Sequence, residues 1–323
     1  MDVHPRVSVI LAVLNEAPFI EDTLADLLGQ EYPGSFEVVV ADGGSTDGTL
    51  DRLTEWAGGD DRLRIVDNPD RRQAYGLNLA AANASGEILV RADGHTRYAD
   101  DYVARSVDGV TELGGAVGSR MNPVGSEPFG KAVAAAMNSP LTMGPARFHH
   151  TTDRVEADTT YLGAFRREHF ERVDGFRAFP SGSSEDADFY YRLRRAGVKV
   201  FVDPAIVSSY APRETLGSLW RQYWRYGQGK TEMLWANGVF PSWRPLAPMG
   251  LVAALLAGLV LGLTQGLWWP LFDLLAVWLA LLVFVATRAD APAHRVVLAA
   301  GTMHLAYGLG AWYGLFRGPP RVR

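Results

Sequence analysis

The sequence predicts an α/β domain with a parallel, doubly wound sheet, followed by a C-terminal transmembrane helical region. Two observations support this prediction. Apolar, β-branched segments alternate with amphipathic segments over residues 7–92, and a βαβαβαβ order is typical of a parallel sheet. Ionisable residues then become rare after residue 245, as they are in segments that cross a bilayer.

The elements of the α/β part follow from their local patterns. Continuous apolar runs predict four buried strands, at residues 7–13, 36–41, 63–66 and 87–92. Apolar residues at helical spacing predict three intervening helices, at residues 19–29, 49–56 and 73–84.

Composition excludes several classes of protein. The formal net charge of −5 over 323 residues excludes nucleic-acid binding through bulk positive charge. A hydrophobic fraction of 48% with only 21% charged residues excludes a disordered chain. The chain contains no cysteine, which excludes disulfides, thiolate metal sites and a cysteine nucleophile.

Three apolar stretches, at residues 246–263, 268–286 and 296–316, each approach the ~20 residues that a spanning helix needs. We therefore expect the α/β domain to occupy residues 1–215. A juxtamembrane segment at 216–244 and about three transmembrane helices at 245–317 should follow it. A buried helical hairpin of a soluble domain is the alternative.

The predicted location depends on the two ends of the chain. Residues 1–17 show no signal-peptide pattern, so we expect a multi-pass protein of the cell membrane with its α/β domain in the cytoplasm. Three spans would leave Arg317, Arg321 and Arg323 outside, against the positive-inside tendency. A re-entrant or interfacial stretch would return the C-terminus to the inside.

Polar residues follow the predicted strands where each strand ends. Asn15 and Glu16 come after the first strand, Asp42 after the second and Asp93 after the fourth. Ligands of open α/β sheets bind at this edge. The sequence therefore predicts a ligand site built from these side chains.

The loop at residues 42–49 contains glycines that allow a ligand to approach the backbone closely. It has neither the Walker ending nor the dinucleotide fingerprint. An ordinary strand–helix connection, with Ser45, Thr46 or Asp47 as the helix cap, is the alternative.

Asp93 and His95 are two residues apart in the segment RADGH. A carboxylate and an imidazole can hold Mg²⁺ or Mn²⁺ together, with the nitrogen ligand favouring Mn²⁺ and substrate phosphates supplying other ligands. From the spacing alone, a solvated turn is the simpler interpretation.

Glu185 and Asp186 open the segment SSEDADFYYRLRRAG. Ser183 with Asp186 predicts a capping box at a helix N-terminus. One of the two carboxylates is also a candidate general base. The two roles are compatible.

Arg225 and Lys230 lie in an aromatic and basic segment just before the first apolar stretch. This pattern is typical of an interfacial belt. Pairing of the two cations with pyrophosphate or an anionic lipid phosphate is the alternative.

Together these segments resemble the family-2 glycosyltransferases of the GT-A fold, and most of all their bacterial membrane-anchored succinoglycan-biosynthesis type. Six pieces occur in the family's order: VSVILAVLNEAPFIEDTL, FEVVVADGGSTDGT, LNLAAANASGEILVRADGH, YLGAFRREHFERVDGF, SSEDADFYYRLRRAG and RQYWRYGQGK. The resemblance covers residues 5–230 and implies a Rossmann-like nucleotide-diphospho-sugar transferase domain.

The resemblance also implies a site. Asp93 and His95 stand where most members have Asp-x-Asp, the metal and diphosphate site, and Asp186 beside Glu185 matches the catalytic base. Asp42 matches the carboxylate that contacts the nucleotide base. The positions matched to nucleotide-sugar binding are Val13, Asn15, Glu16, Asp42, Asp47, Asn78, Asp93, Gly163, Gln222, Arg225 and Lys230.

The implied reaction is inverting hexosyl transfer with Mn²⁺ or Mg²⁺, from a nucleotide-diphospho-sugar to a lipid-linked or polysaccharide acceptor at the membrane. It would serve the synthesis of cell-surface polysaccharide or glycolipid, with no nucleic-acid partner. A polyprenyl-phosphate glycosyltransferase is one alternative. A membrane-tethered nucleotide-sugar-binding module without turnover is the alternative from another class.

Overall fold

The computed structural model describes residues 4–240 and 242–320. Its first part confirms the predicted alternation, with differences only at the ends of elements. The strands there are Val7–Val13 (β1), Phe36–Asp42 (β2), Leu63–Asp67 (β3) and Ile88–Arg91 (β4). The helices between them are Ile20–Leu28 (α1), Thr49–Gly59 (α2) and Gln73–Asn83 (α3).

The chain after β4 contains shorter strands and more irregular connections. These elements are Thr96–Tyr98 (β5), Tyr102–Leu113 (α4), Ala116–Ser119 (β6), Pro128–Met137 (α5), Pro140–Met143 (α6), Arg147–His150 (α7), Val155–Glu156 (β7), Tyr161–Arg166 (β8), Arg167–Arg172 (α8), Glu185–Arg195 (α9), Val200–Asp203 (β9) and Ser208–Tyr210 (β10). Four long helices follow: Leu216–Asn237 (α10), Leu246–Gln265 (α11), Trp269–Thr287 (α12) and Ala293–Arg317 (α13).

The main sheet has eight strands in the order β3-β2-β1-β4-β8-β6-β9-β7. Strands β1 to β4 are parallel, whereas β8 is antiparallel to β4 and β6, and β7 is antiparallel to β9. The four predicted strands are therefore parallel, as expected, and the antiparallel strands lie in the part of the chain for which the sequence predicts no strands. Strands of two to four residues, such as β6, β7 and β9, are too short for their apolar pattern to indicate direction.

Strand β1 lies in the middle of the parallel half and is buried on both faces. Val9 and Leu11 belong to the hydrophobic cluster on one face, and Ile10 belongs to the cluster on the other. Both clusters contain side chains of the flanking helices, such as Leu24 of α1 and Leu77 of α3. The residues that follow β1, β2 and β4 therefore extend from a rigid platform.

In the described residues, two helices, α11 and α12, are long and apolar enough to cross a membrane by length and composition. Only 22% of the apolar window of α11 and 17% of that of α12 is buried inside the protein. Helix α13 does not meet the same criterion, so the third of the expected spans stays a prediction. Arg321 and Arg323, used in the topology argument, lie outside the described residues.

Helix α13 is instead buried against other parts of the protein. A Cβ atom at Gly227 of α10 would lie 2.1 Å from the Tyr307 carbonyl oxygen, and one at Gly310 would lie 2.2 Å from the Trp224 carbonyl oxygen. The α10 and α13 backbones therefore touch without intervening side chains. The glycines that permit this contact also reduce the mean hydropathy of α13.

Candidate active site

The turn after β2 is shaped by the Asp42 carboxylate, which is 3% exposed. Its Oδ2 accepts hydrogen bonds from the backbone N–H groups of Gly44 and Ser45 (2.9 and 3.0 Å), and its Oδ1 accepts from Ser45 Oγ (2.6 Å). The Gly43 N–H donates to the Val13 carbonyl oxygen (2.9 Å). Val13 and Asp42 thus hold the loop that follows them.

Asn15 connects the end of β1 to the same loop. Its N–H donates to Ser45 Oγ and its Oδ1 accepts from the Thr46 N–H, both at 2.9 Å. Asn15 has φ 59°, a left-handed conformation that a non-glycine residue adopts when its surroundings impose it.

Asp47 accepts hydrogen bonds from Thr49 Oγ1, the Thr49 N–H and the Ala17 N–H (2.6, 3.1 and 3.1 Å). These bonds, led by that from the Thr49 hydroxyl, lower the pKa of Asp47. The N-cap of α2 is Gly48, and no side chain caps it. The expected cap by Ser45, Thr46 or Asp47 is therefore wrong at the cap position, because Asp47 bonds to Thr49 from one residue before the cap.

Asp93 follows β4, and its carboxylate is held on one side. Its Oδ1 accepts from Gln73 Nε2 at 3.1 Å and lies 3.4 Å from both Nε and Nη2 of Arg91. No described residue donates to its Oδ2. One carboxylate oxygen is therefore fixed and the other is available to a ligand.

His95 is placed by Glu16, whose Oε1 lies 3.1 Å from His95 Nδ1. Its ring packs edge-on against Phe19 and Tyr210. Burial lowers the pKa of His95, but the hydrogen bond to Glu16 and the charges of Glu16 and Asp93 outweigh it, so the net shift is upward. With Nδ1–H donating to Glu16, the Nε2 lone pair is the available ligand atom.

These two residues fit a divalent cation that draws its other ligands from a substrate. A carboxylate behind a ligand imidazole is the arrangement that orients such a ligand. The described residues contain no group of three or more His, Asp or Glu side chains that could hold a metal by themselves. A hard cation with few protein ligands completes its shell with phosphate oxygens and water.

Helix α9 begins at Glu185, and its N-cap is Ser184 in a left-handed conformation (φ 71°) without a side-chain cap bond. The predicted capping box between Ser183 and Asp186 is therefore wrong. The segment before α9 packs directly on α10 instead, because a Cβ at Gly229 would lie 2.7 Å from Ser184 Oγ.

The two adjacent carboxylates of α9 have different surroundings. Glu185 is 7% exposed, and its Oε1 lies 3.3 Å from Arg91 Nη2. Burial and the Asp186 charge raise the pKa of Glu185 to about 7, while Arg91 opposes the shift. Asp186 is half-buried, and its Oδ1 accepts only from the adjacent Ala187 N–H among the described residues. Asp186 is thus the freer of the two.

Helix α10 carries two residues that were predicted to bind the nucleotide-sugar, Gln222 and Lys230, and both lie near this region. Gln222 Nε2 donates to the hydroxyls of Tyr210 (2.8 Å) and Tyr226 (3.0 Å), so Gln222 reaches His95 through Tyr210. Burial lowers the pKa of the Lys230 ammonium, and the nearby Asp186 charge opposes this shift.

Three predicted residues have other surroundings. Arg225 is exposed and lines a shallow groove with Trp220, Arg221, Trp224 and Gln228. No hydrogen bond or ion pair joins it to a carboxylate of the described residues.

The Asn78 side chain bonds to the backbone N–H and carbonyl of Phe176 (2.9 and 2.8 Å), which is a structural role. Gly163 lies under Tyr190, whose hydroxyl would be 1.8 Å from an added Cβ. Its small size therefore serves packing. A donor contact of either residue stays a prediction.

The sequence reasoning missed Gln73, Arg91 and Arg213. The Arg213 charge acts on His95, but Arg213 lies in a polar loop that carries no readable signal. Arg91 had a signal: it directly follows the apolar run ILV of a predicted buried strand, and a buried charge needs partners.

A mixed α/β sheet with acidic residues along the carboxyl ends of its parallel strands is the architecture of a GT-A glycosyltransferase. The chain belongs to glycosyl transferase family 2. The family model "Glycosyl transferase family 2" matches residues 8–174, and the model "Glycosyl transferase family group 2" matches residues 162–288.

Individual relatives agree with this assignment. The chain is 33% identical to the succinoglycan biosynthesis protein ExoA of Rhizobium meliloti (strain 1021), over 94% of this chain and 93% of that protein. It is 25% identical to a dolichyl N-acetyl-alpha-D-glucosaminyl phosphate 3-beta-D-2,3-diacetamido-2,3-dideoxy-beta-D-glucuronosyltransferase of Methanococcus voltae, over 80% and 82%. The predicted family-2 enzyme of succinoglycan type is thereby confirmed.

Among solved structures, the mannosyltransferase PcManGT from Pyrobaculum calidifontis, in complex with GDP-Man and Mn²⁺, resembles this chain with a TM-score of 0.61 and 26% identity. The match covers 98% of this chain and 88% of that one. It extends over the C-terminal helices as well as the sheet.

Proposed function

We propose that the protein is an inverting hexosyltransferase that moves a sugar from a nucleotide-diphosphate donor to a lipid-linked or polysaccharide acceptor at the cytoplasmic face of the cell membrane. The observation that carries the proposal is the meeting of Asp93 with the start of α9. Both Asp93 and Glu185 lie within 3.4 Å of the Arg91 guanidinium. A ligand-binding carboxylate and a candidate base, Asp186, thus share one region.

The relatives support each end of this reaction. The complex of the Pyrobaculum enzyme with GDP-Man and Mn²⁺ supports a nucleotide-sugar donor and a divalent cation. The names of the Rhizobium and Methanococcus relatives support an acceptor in polysaccharide or lipid-linked glycan synthesis.

In the proposed mechanism, Asp186 accepts a proton from the acceptor hydroxyl as that oxygen bonds to the anomeric carbon. The bond between this carbon and the diphosphate oxygen breaks, and its electron pair leaves with the nucleoside diphosphate. Asp93 Oδ2 and His95 Nε2 would hold a divalent cation, which would supply positive charge to the leaving group. Glu16 orients His95, and Asp42 with Asn15 keeps the loop at residues 42–49 in shape for the nucleotide.

The C-terminal helices support a membrane location. Helix α11 has 20 residues and α12 has 19, and at 1.5 Å per residue each is about 30 Å long, the thickness of a bilayer core. They form a hairpin whose turn contains the exposed Trp268 and Trp269. Such residues are typical of an interface. Both free ends of the hairpin then lie on the side of the catalytic domain.

The test is a screen of UDP-, GDP- and TDP-sugars against the full chain in nanodiscs, with and without Mn²⁺, using a lipid extract as acceptor. We expect one donor to be consumed, with a product whose anomeric configuration is opposite to that of the donor. Retained configuration would contradict the inverting mechanism. Donor binding with no release of nucleoside diphosphate would favour the binding-module alternative.

A further inference from the structure

We propose that Arg91 is a positioning residue that fixes two parts of the active site at once. It orients the Asp93 carboxylate, which faces the donor, and it anchors Glu185, which sets the first turn of α9 and with it Asp186. This inference rests on the proposed function, because it assigns Asp93 to the donor and Asp186 to the acceptor.

Arg91 is the last residue of β4, and its side chain is 7% exposed. Nη2 lies 3.4 Å from Asp93 Oδ1 and 3.3 Å from Glu185 Oε1. The guanidinium carbon lies 5.7 Å from the centre of the Phe176 ring. A planar guanidinium can direct separate N–H groups to two carboxylates, which an ammonium group cannot do with the same rigidity.

The contact with Asp93 determines which of its oxygens is free. Gln73 and both Arg91 nitrogens are on the Oδ1 side. Rotation of the carboxylate would break these contacts, so Oδ2 stays directed away from Arg91. Partners that orient a metal-binding carboxylate are typically worth about 10–100-fold in metal affinity or activity.

The contact with Glu185 acts on the other side of the site. Glu185 is the first residue of α9, directly after the left-handed Ser184. A non-glycine residue in this conformation is retained only where neighbouring contacts impose it. The Arg91–Glu185 pair and the packing of Ser184 on Gly229 supply those contacts, and Asp186 is the next residue along the helix.

A buried arginine between carboxylates also contributes to stability, so a matched control is needed. Arg192 of α9 is a second buried arginine. Its Nε lies 2.7 Å from Asp188 Oδ2, and its Nη2 donates to the Gly175 carbonyl at 2.7 Å. Arg192→Lys therefore disturbs a comparable buried pair on the same helix without changing Arg91.

The experiment compares Arg91→Lys with Arg192→Lys and the unchanged chain. Binding of Mn²⁺ is measured by electron paramagnetic resonance with Mn²⁺ alone and with added UDP or GDP, and kcat and thermal unfolding are measured separately. We expect Arg91→Lys to weaken Mn²⁺ binding about 10–100-fold and to lower kcat at saturating Mn²⁺ by a similar factor. Arg192→Lys should lower only the unfolding temperature. If Arg91→Lys changes only the unfolding temperature, the role is purely structural and the proposal fails.

Two further variants test the two contacts separately if Arg91→Lys does not fold. Gln73→Leu removes a bond to Asp93 alone, and we expect weaker Mn²⁺ binding with kcat retained at saturating Mn²⁺. Glu185→Gln keeps an oxygen opposite Arg91 but removes the charge, and we expect a lower kcat with Mn²⁺ binding retained. The opposite pattern, or no change in either, overturns the proposal. Because Mn²⁺ binding is read without turnover, this arm stays valid if the proposed transfer reaction is absent.

Discussion

The two halves of the α/β domain differ in how far the polar side chains of the candidate site are already engaged in hydrogen bonds. In the first half, residues 4–95, the oxygens of Asn15, Asp42 and Asp47 are already engaged by the loop at residues 42–49. In the second half, residues 96–237, Asp186 bonds only to the adjacent backbone N–H, and Lys230 has no hydrogen bond to a described residue.

This difference separates two tasks. The turn of the first half is held by hydrogen bonds among its own residues, which suits the proposed recognition of an invariant part of a donor. In the second half, the side chains of Asp186 and Lys230 are held by few hydrogen bonds, and their positions depend on how α9 and α10 pack. Substitutions in the first half should therefore change donor and metal binding, and those in the second half should change turnover, whereas Arg91, which contacts Glu185 across the two halves, should affect both.

The largest effect is expected for Asp186→Asn. The amide keeps the shape but cannot accept the acceptor proton, so kcat should fall about 10²–10⁴-fold, while donor affinity by calorimetry stays within about twofold. Asp158→Asn, at another half-buried acid of the second half that pairs with Arg244, is the control, and it should lower stability more than kcat. Equal losses of binding and turnover would make Asp186 a structural residue and break the comparison.

Asp93→Ala should weaken metal binding, which we assign to the first half. It removes one of the two proposed cation ligands, so the Mn²⁺ concentration for half-maximal activity should rise by ~100-fold or more, since even outer partners contribute about 10–100-fold. Asp67→Ala, at an exposed residue that ends β3, should leave it unchanged. Unaltered Mn²⁺ dependence in Asp93→Ala would falsify the ligand assignment.

Leu256→Arg tests whether the hairpin is embedded in lipid rather than covered by protein. Leu256 is 54% exposed and lies near the middle of α11, where an arginine costs about 2.5–3.5 kcal/mol in a bilayer. We expect the variant to lose carbonate-resistant membrane association. Leu50→Arg on α2, where Leu50 is 40% exposed, should not, and equal behaviour of the two would contradict a membrane location.

Gly227→Ala tests how rigidly α10 is held. The added Cβ would meet the Tyr307 carbonyl oxygen at 2.1 Å, and overpacking of this kind costs about 1–3 kcal/mol. We expect a lower unfolding temperature and a lower kcat, because Gln222 and Lys230 shift with the helix. Gly217→Ala, whose Cβ has only the flexible Arg221 side chain within 4 Å, should be neutral or stabilising; destabilisation by both would indicate a general effect of helix substitution.

The smallest effect concerns His149 in α7. Burial lowers the pKa of His149 to about 3, so the folded chain holds it neutral, while the unfolded chain protonates it below about pH 6.5. The unfolded state thus binds more protons between these values, and stability is lost as the pH falls through about 6.5, by up to ~1.4 kcal/mol per pH unit. His149→Leu should flatten the fall of unfolding free energy between pH 6.5 and 5 in urea titrations, and His4→Gln, at an exposed residue, should not. An unchanged slope in His149→Leu would show that His149 does not contribute.

Much of the first half was predictable because its strands are long and buried on both faces, so that VSVILAV and FEVVVAD have one simple interpretation. The polar residues at their ends then follow from the common edge of a parallel sheet. The second half was less readable, because β6 to β9 are short and the direction of β8 depends on tertiary contacts. The sequence did not show that Glu185 is buried and Asp186 is half-buried, because adjacent residues of a helix point in different directions whatever their type. The burial of α13 was hidden because composition does not distinguish a lipid neighbour from a protein neighbour.

The backbone contact between α10 and α13 has a consequence for substrate length. Helix α10 carries residues of the site, and α13 packs in turn on the hairpin, where a Cβ at Gly308 would lie 2.3 Å from the Pro248 carbonyl oxygen. Such contacts leave little room for tilting, so α10, with Gln222 and Lys230, keeps one distance from the hairpin of α11 and α12. In the proposed reaction, the acceptor hydroxyl would then have to reach the site at one height above the bilayer, which restricts the length of its carrier.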